Sequence, residues 1–268
     1  MIQLQHNGVT YLAAEGFRSA GGVAHGFSTR LGGVSEGIFS SLNLGFNRGD
    51  DPDHVRENYR RFCAAIGADA NRIVMTGQVH ETEIRTATPE LIKPDVCAPT
   101  EYNCDGLITN QPGLVLTIFS ADCIPILLYD PVQRVIAAVH AGWRGTAQDI
   151  AGKAVHKMRQ EYNCQPEHIL TAIGPGISQC CFETHADVPE AMTRALGDLV
   201  VPHVLSLDNG KFKVDLKGMN ATLLLRAGIS SGHIEISTDC TACLHETYWS
   251  HRVTQGKRGS QAAMIQLI

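Results

Sequence analysis

The sequence predicts an α/β protein, a single domain over residues 1–268 with a mixed β-sheet core and flanking helices. Three observations carry this reading. Short apolar runs rich in β-branched residues alternate with stretches whose apolar residues recur at helical spacing. No composition shift, internal repeat or low-complexity tract divides the chain. A length of 268 residues is enough to bury one sizeable core.

The elements follow in order. Val23 to Thr29 reads as a strand that ends in a polar, Gly-rich loop, Arg30 to Ser35. Val55, Tyr59, Phe62, Cys63 and Ile66 fall on one helix face, and Asp51 or Asp53 can cap that helix. Ile73-Val74-Met75 starts another strand, and residues 85–104, rich in Thr, Pro and Asp, read as a long connection. Leu114 to Phe119, Ile124 to Tyr129 and Arg134 to Val139 are three close apolar runs, expected as paired strands at a sheet centre. Ala147, Ile150, Ala151, Ala154 and Met158 share a helix face, with a capping-box spacing from Thr146 to Asp149. His168 to Ile173 is a strand stopped by Gly174-Pro175-Gly176. Leu216, Met219 and Leu223 mark a late helix, and His233 to Ser237 and Ala262 to Leu267 read as closing strands.

Composition narrows the function classes. Hydrophobic residues make up 44% and charged residues 18%, as in ordinary globular proteins. A formal charge of -5 offers no overall attraction for nucleic acid or an anionic membrane, so neither partner is expected. No apolar run approaches the ~20 residues that span a bilayer. Met1 to His6 lack the basic flank and apolar stretch of a secretory signal, so none is expected. Nine cysteines, an odd number in a chain of this size, fit a reducing compartment, the cytoplasm.

Reactive side chains gather at three turn segments. These are Gly77-Gln78-Val79-His80, Ser120-Ala121-Asp122-Cys123 and Val139-His140-Ala141-Gly142-Trp143-Arg144-Gly145-Thr146. Two imidazoles and a thiolate suit Zn²⁺ and leave one position open for reactants. His80, Cys123 and His140 are separated by 43 and 17 residues, so spacing alone does not select them from twelve His and nine Cys. A hydrogen-bonded core histidine or a small buried thiol is the alternative for each. The Gly142 to Thr146 turn opens a helix beside Arg144 and suits an anion, or is simply a tight turn with Arg144 on the surface and Trp143 at a core edge. Cys240-Thr241-Ala242-Cys243 is a lone CxxC, read as packing; Cys180 and Cys181 add thiols, but adjacent residues rarely chelate together. Dinucleotide, Walker A and nucleophile-elbow signatures are missing, as is any HxH pair.

The joint set of segments resembles the YfiH-like proteins, also described as polyphenol oxidoreductases with a laccase domain. The set comprises His25 to Arg30 with Gly32 to Ser35, Ser41 to Leu44, Gly49 to Pro52 with Val55 and Asn58, and Gln78 to His80. It continues with Asp105 to Thr109, Ala121 to Cys123, Val139 to Gly145, Ile173 to Pro175, Cys240, Thr241 and Cys243, and Ser250 to Arg252. The chain departs from the family pattern at Gly176, at His251 and over Lys257 to Gly259.

The resemblance implies a layered sandwich fold and a purine nucleoside enzyme. That enzyme phosphorolyses adenosine, inosine, guanosine and methylthioadenosine and deaminates adenosine. It also implies His80, Cys123 and His140 as zinc ligands. On that basis Arg144, Arg30 or Arg48 is expected to orient phosphate and Asp122 to transfer a proton. Ser28 and Asn43 are expected to hold sugar or base. Purine nucleosides and phosphate are the expected partners, with the chain a monomer or homodimer. The rivals are a cysteine hydrolase using Cys123 with His140 or His80, a copper-dependent polyphenol oxidase with Cu²⁺ on the same ligands, and a non-enzymatic protein with structural zinc.

Overall fold

The computed structural model describes residues 1–268. In chain order the elements are β1 (Ile2–His6), β2 (Val9–Ala13), α1 (Glu15–Ala20), β3 (Val23–Ser28), α2 (Pro52–Ile66), β4 (Ile73–Met75), β5 (Ile84–Thr86), β6 (Gly106–Thr109) and β7 (Val115–Ser120). There follow β8 (Ile124–Asp130), β9 (Val135–Ala141), α3 (Trp143–Ala147), α4 (Ile150–Tyr162), β10 (Leu170–Ile173), β11 (Glu183–Thr184), α5 (Asp187–Leu196), β12 (Val204–Ser206) and β13 (Phe212–Val214). The chain closes with α6 (Leu216–Arg226), β14 (Ile234–Ile236), α7 (His251–Thr254) and β15 (Gln261–Leu267).

The core holds two six-stranded sheets rather than one, with a three-stranded sheet at the side. The first runs β1-β2-β3-β15-β7-β4, the second β14-β10-β8-β9-β6-β5 and the third β11-β13-β12. Both large sheets are mixed. Only β4–β7 is parallel in the first, and β10–β14 and β5–β6 in the second.

Strand alternation sets the layers. Leu127 and Tyr129 of β8 face the first sheet and meet Phe27, Leu116, Ile118 and Ile265. Ile124, Ile126 and Leu128 point the other way, onto Ile150, Ala154 and Met158 of α4 and Leu216, Met219 and Leu223 of α6. The outer face of the first sheet takes Val55, Tyr59, Phe62 and Ile66 of α2. Each large sheet is covered on both faces, which explains the unbroken apolar runs in β7, β8 and β9.

Three expectations need correction. The strand at Leu114 to Phe119 does not pair with the one after it: β7 pairs with β15 and β4, whereas β8 pairs with β9 and β10. The link Ala121-Asp122-Cys123 instead crosses from one sheet to the other, with Asp122 at φ 92. The helix near Thr146 is two helices: Asp149, at φ 58, caps α4 by accepting the Gly152 N–H at 2.9 Å, and Thr146 belongs to α3. The 85–104 connection overlaps β5, which pairs with β6. Of the two candidate caps for α2, Asp51 is the one used, accepting from Asp53 N–H. The hairpin β1–β2, the small third sheet and α5 lie outside the sequence expectations, although α5 is amphipathic and buries Val188, Pro189 and Met192 on one face. No helix is long and apolar enough to cross a membrane.

Candidate metal centre and its cavity

The three candidate ligands come from different parts of the fold. His80 sits in the loop after β4, Cys123 at the sheet-to-sheet corner before β8, and His140 near the end of β9. Their ligand atoms all lie within 4.8 Å of one another. Cys123 Sγ is 3.9 Å from His80 Nε2, and the imidazole rings meet edge to face at 4.9 Å.

Asp105 organises this geometry. It is fully buried, just before β6. Its carboxylate accepts the backbone N–H groups of Val79, His80 and Glu81 at 3.1, 3.0 and 2.9 Å, which holds the loop with His80 at φ 64. Oδ1 also pairs with His140 Nδ1 at 2.8 Å, and the Asp105 carbonyl accepts the His140 N–H. With Nδ1 committed to the carboxylate, Nε2 is left for a metal, the orienting arrangement common behind metal-bound histidines. Sequence reasoning quoted Asp105 only as part of a matching segment; the signal for its role was a lone acid at a strand edge, visible only once the loop folds over it.

Electrostatics within the trio reinforce the geometry. Burial opposes ionisation of the Cys123 thiol, but the His140 charge and the hydrogen bonds from His140 and His80 outweigh it and bring the thiol down to about 6. Burial likewise disfavours the His140 imidazolium, yet Cys123 and Asp105 together hold it up at about 9. In the Asp105 carboxyl, burial is outweighed by the bonds from His140 and from backbone N–H groups, so its pKa falls. Gly142 closes over the ligands: a Cβ there would stand 3.0 Å from His80 Cδ2 and 3.3 Å from Cys123 Sγ.

The trio opens into a cavity of about 500 Å³. Phe46 and Phe119 line it as an edge-to-face pair 6.0 Å apart, and Arg48 and Arg258 line it with positive charge. Arg258 is buried. Its Nη1 donates to two neutral acceptors, Gly259 O and Ser260 Oγ, and its Nε has no hydrogen-bond partner. Burial, and then the nearby Arg48, lower the guanidinium pKa to about 10. Such a group is poised to receive an anion. Sequence reasoning treated Arg258 only as part of a departure from the family pattern.

The other candidates lie elsewhere. Asp122 does not line the cavity: its oxygens are committed to Thr241 Oγ1 and Arg252 N–H, both at 2.7 Å. Arg144 is exposed and stacks on Trp143, its guanidinium carbon 4.4 Å from the ring centroid. Arg30 is clamped to Ser40 O and His245 O and stacks on Trp249. Ser28 Oγ accepts the Ala262 N–H between strands, and Asn43 is fully engaged with Gly45, Asp50 and Ser260. Of the expected anion and substrate contacts, only Arg48 reaches the cavity.

A sequence profile of the multi-copper polyphenol oxidoreductase laccase family matches residues 24–268. The chain belongs to this family. Purine nucleoside phosphorylase YlmD of Geobacillus stearothermophilus is 35% identical over 252 residues, covering 92% of this chain and 90% of that protein. Adenosine deaminase RL5, from an unknown prokaryotic organism, is 33% identical over 232 residues, covering 84% of this chain and 87% of the relative. The crystal structure of Bacillus licheniformis YfiH superposes with a TM-score of 0.89 at 32% identity, covering 98% of this chain and 97% of that one. Members of the laccase family thus include proteins named for purine nucleoside chemistry. The family name suggests copper, but only one of the two clusters of ligating side chains in this chain contains histidine.

Proposed function

We propose that this member of the family is a zinc-dependent purine nucleoside phosphorylase, acting on adenosine, inosine, guanosine and methylthioadenosine, with adenosine deaminase activity. The observation that carries the reading is one cavity containing an open His80–Cys123–His140 ligand set, an aromatic wall and two arginines. Three ligands of N, N and S type fit Zn²⁺ in a catalytic rather than a structural site. When bound, the ion supplies Lewis acidity beside the reacting bond.

The chain's own residues do the rest. The ring of Phe46 or Phe119 offers an apolar face for a purine. Arg48 and Arg258, rather than Arg144 or Arg30, hold phosphate, because only these two line the cavity. Held there, a phosphate oxygen bonds to C1′ as the purine departs with the electron pair of the glycosidic bond. Fixing both reactants removes much of the entropic cost of the encounter. Asp105 keeps His140 oriented throughout. Asp122 serves as an anchor for the corner before Cys123 and lies outside the cavity lining, away from where a proton would be exchanged with substrate. All nine cysteines are unpaired, which supports a reducing, cytoplasmic setting.

The experiment is incubation of protein of known zinc content with inosine, with and without phosphate. Phosphate-dependent release of hypoxanthine with ribose 1-phosphate supports the reading. Hypoxanthine released without phosphate, as free ribose, contradicts it. Alkylation separates the cysteine-hydrolase rival: metal-free protein that is active, and that dies when Cys123 is alkylated, supports that rival.

A further inference from the structure

We propose that Cys180, Cys181, Cys240 and Cys243 form a second, closed Zn²⁺ site that pins the corner behind the catalytic centre. The CxxC pair and the vicinal pair are distant in sequence, but the fold brings all four sulfurs within 4.8 Å of one another. Cys243 Sγ lies 3.3 Å from Cys181 Sγ and 3.6 Å from Cys180 Sγ, and the vicinal sulfurs are 3.7 Å apart. A tetrahedron of Zn–S bonds of about 2.3 Å has edges of about 3.8 Å. The cluster is therefore near coordination size while each sulfur is still too far from the others for a disulfide, whose bond is about 2.05 Å. The CxxC thus does more than pack in isolation: both side chains of the vicinal pair turn to the same point as its thiols.

The surroundings suit a tetrathiolate. Cys240 Sγ accepts the Ser178 N–H at 3.3 Å. Lys217 is buried, and its Nζ donates to Ser178 Oγ, Ser237 O and Asp239 O at 3.1, 3.0 and 2.6 Å. Its ammonium thus joins the two cysteine-bearing loops and places positive charge beside them. Binding releases the four thiol protons to solvent and leaves a ZnS₄ unit of net charge −2, which the ammonium offsets in part. Apolar packing here is sparse: Ile177, Cys240 and Ala242 form a cluster of 3 buried residues. A metal crosslink supplies what that small cluster does not.

The site leads directly to the catalytic corner. Thr241, inside the CxxC, donates to Asp122 Oδ1, and the N–H of Arg252 donates to Oδ2. The Arg252 guanidinium in turn donates to Cys181 O at 2.8 Å. Four thiolates leave no open position, so the role is structural, and the loops it fixes hold the residue before Cys123.

The test is zinc content per chain in the full-length protein purified under reducing conditions, in wild type and in a His80→Ala/His140→Ala background. Cys240→Ser/Cys243→Ser is expected to remove about one zinc per chain in both backgrounds, so the result stands apart from the reading of the cavity. Unchanged zinc content overturns the proposal. Because the double variant can fail to fold, a second measurement uses the wild-type protein: alkylation of Cys180 and Cys243, mapped by mass spectrometry with and without a strong chelator. Protection that the chelator abolishes supports the site. Equal labelling in both conditions, or a disulfide among the four cysteines in place of metal, overturns it.

Discussion

At the scale of single residues, the centre depends on groups that touch no reactant. Asp105 gathers three backbone N–H groups and the His140 ring. Asp105→Asn keeps the shape but replaces an acceptor oxygen with a donor group and removes the charge. Zinc affinity, measured by competition with a chromophoric chelator, is expected to fall about 10–100-fold. Arg258, by contrast, lines the cavity, and in the proposed reaction it meets phosphate directly. Arg258→Met removes a charged donor from the cavity, and KM for phosphate is expected to rise about tenfold or more, with a much smaller effect on KM for inosine. Steady-state kinetics with each substrate varied in turn checks this. The sequence announced Asp105 and Arg258 only weakly, because an acid or an arginine gains such a role from burial and neighbours that tertiary structure supplies. That His80, Cys123 and His140 converge was legible through family resemblance and not through spacing, since they belong to three separate loops and strand ends.

At the scale of elements, helices were legible where one face is apolar at helical spacing, as in α2 and α4, and strands where an apolar run is unbroken, as in β8. What was not legible was which strands share a sheet. Apolar residues on both sides of β7 and β8 mark each strand as doubly covered, but say nothing of the corner at Asp122 that separates them. Helix starts were also ambiguous, because Thr146 and Asp149 are both good caps. The structure assigns the cap of α4 to Asp149, whose second oxygen pairs with Arg226 at 2.6 Å. Asp149→Ala is expected to cost about 1–2 kcal/mol in urea unfolding. Asp149→Asn is expected to retain most of the stability, because Asn also caps helices and tolerates positive φ.

At the scale of the whole molecule, the family signature mixes reactive and structural parts. His25 belongs to the segment His25 to Arg30, yet it lies in β3, buried against Phe17, with Nε2 accepting the Ala14 N–H. Burial lowers its pKa to about 4. The unfolded chain, with a His pKa of about 6.5, therefore takes up this proton first as pH falls. His25 costs no stability above about pH 6.5, and up to about 3 kcal/mol is lost between there and about pH 4. Urea midpoints at neutral pH and at about pH 5 are expected to differ less in His25→Gln than in wild type.

The central claim is that His80, Cys123 and His140 jointly hold one metal ion on which nucleoside cleavage depends. Zinc content and phosphate-dependent inosine cleavage measured together on His140→Ala test it most directly. Both are expected to fall together, the turnover by at least about a hundredfold. A folded His140→Ala protein that cleaves inosine at the wild-type rate without zinc in the cavity would contradict it.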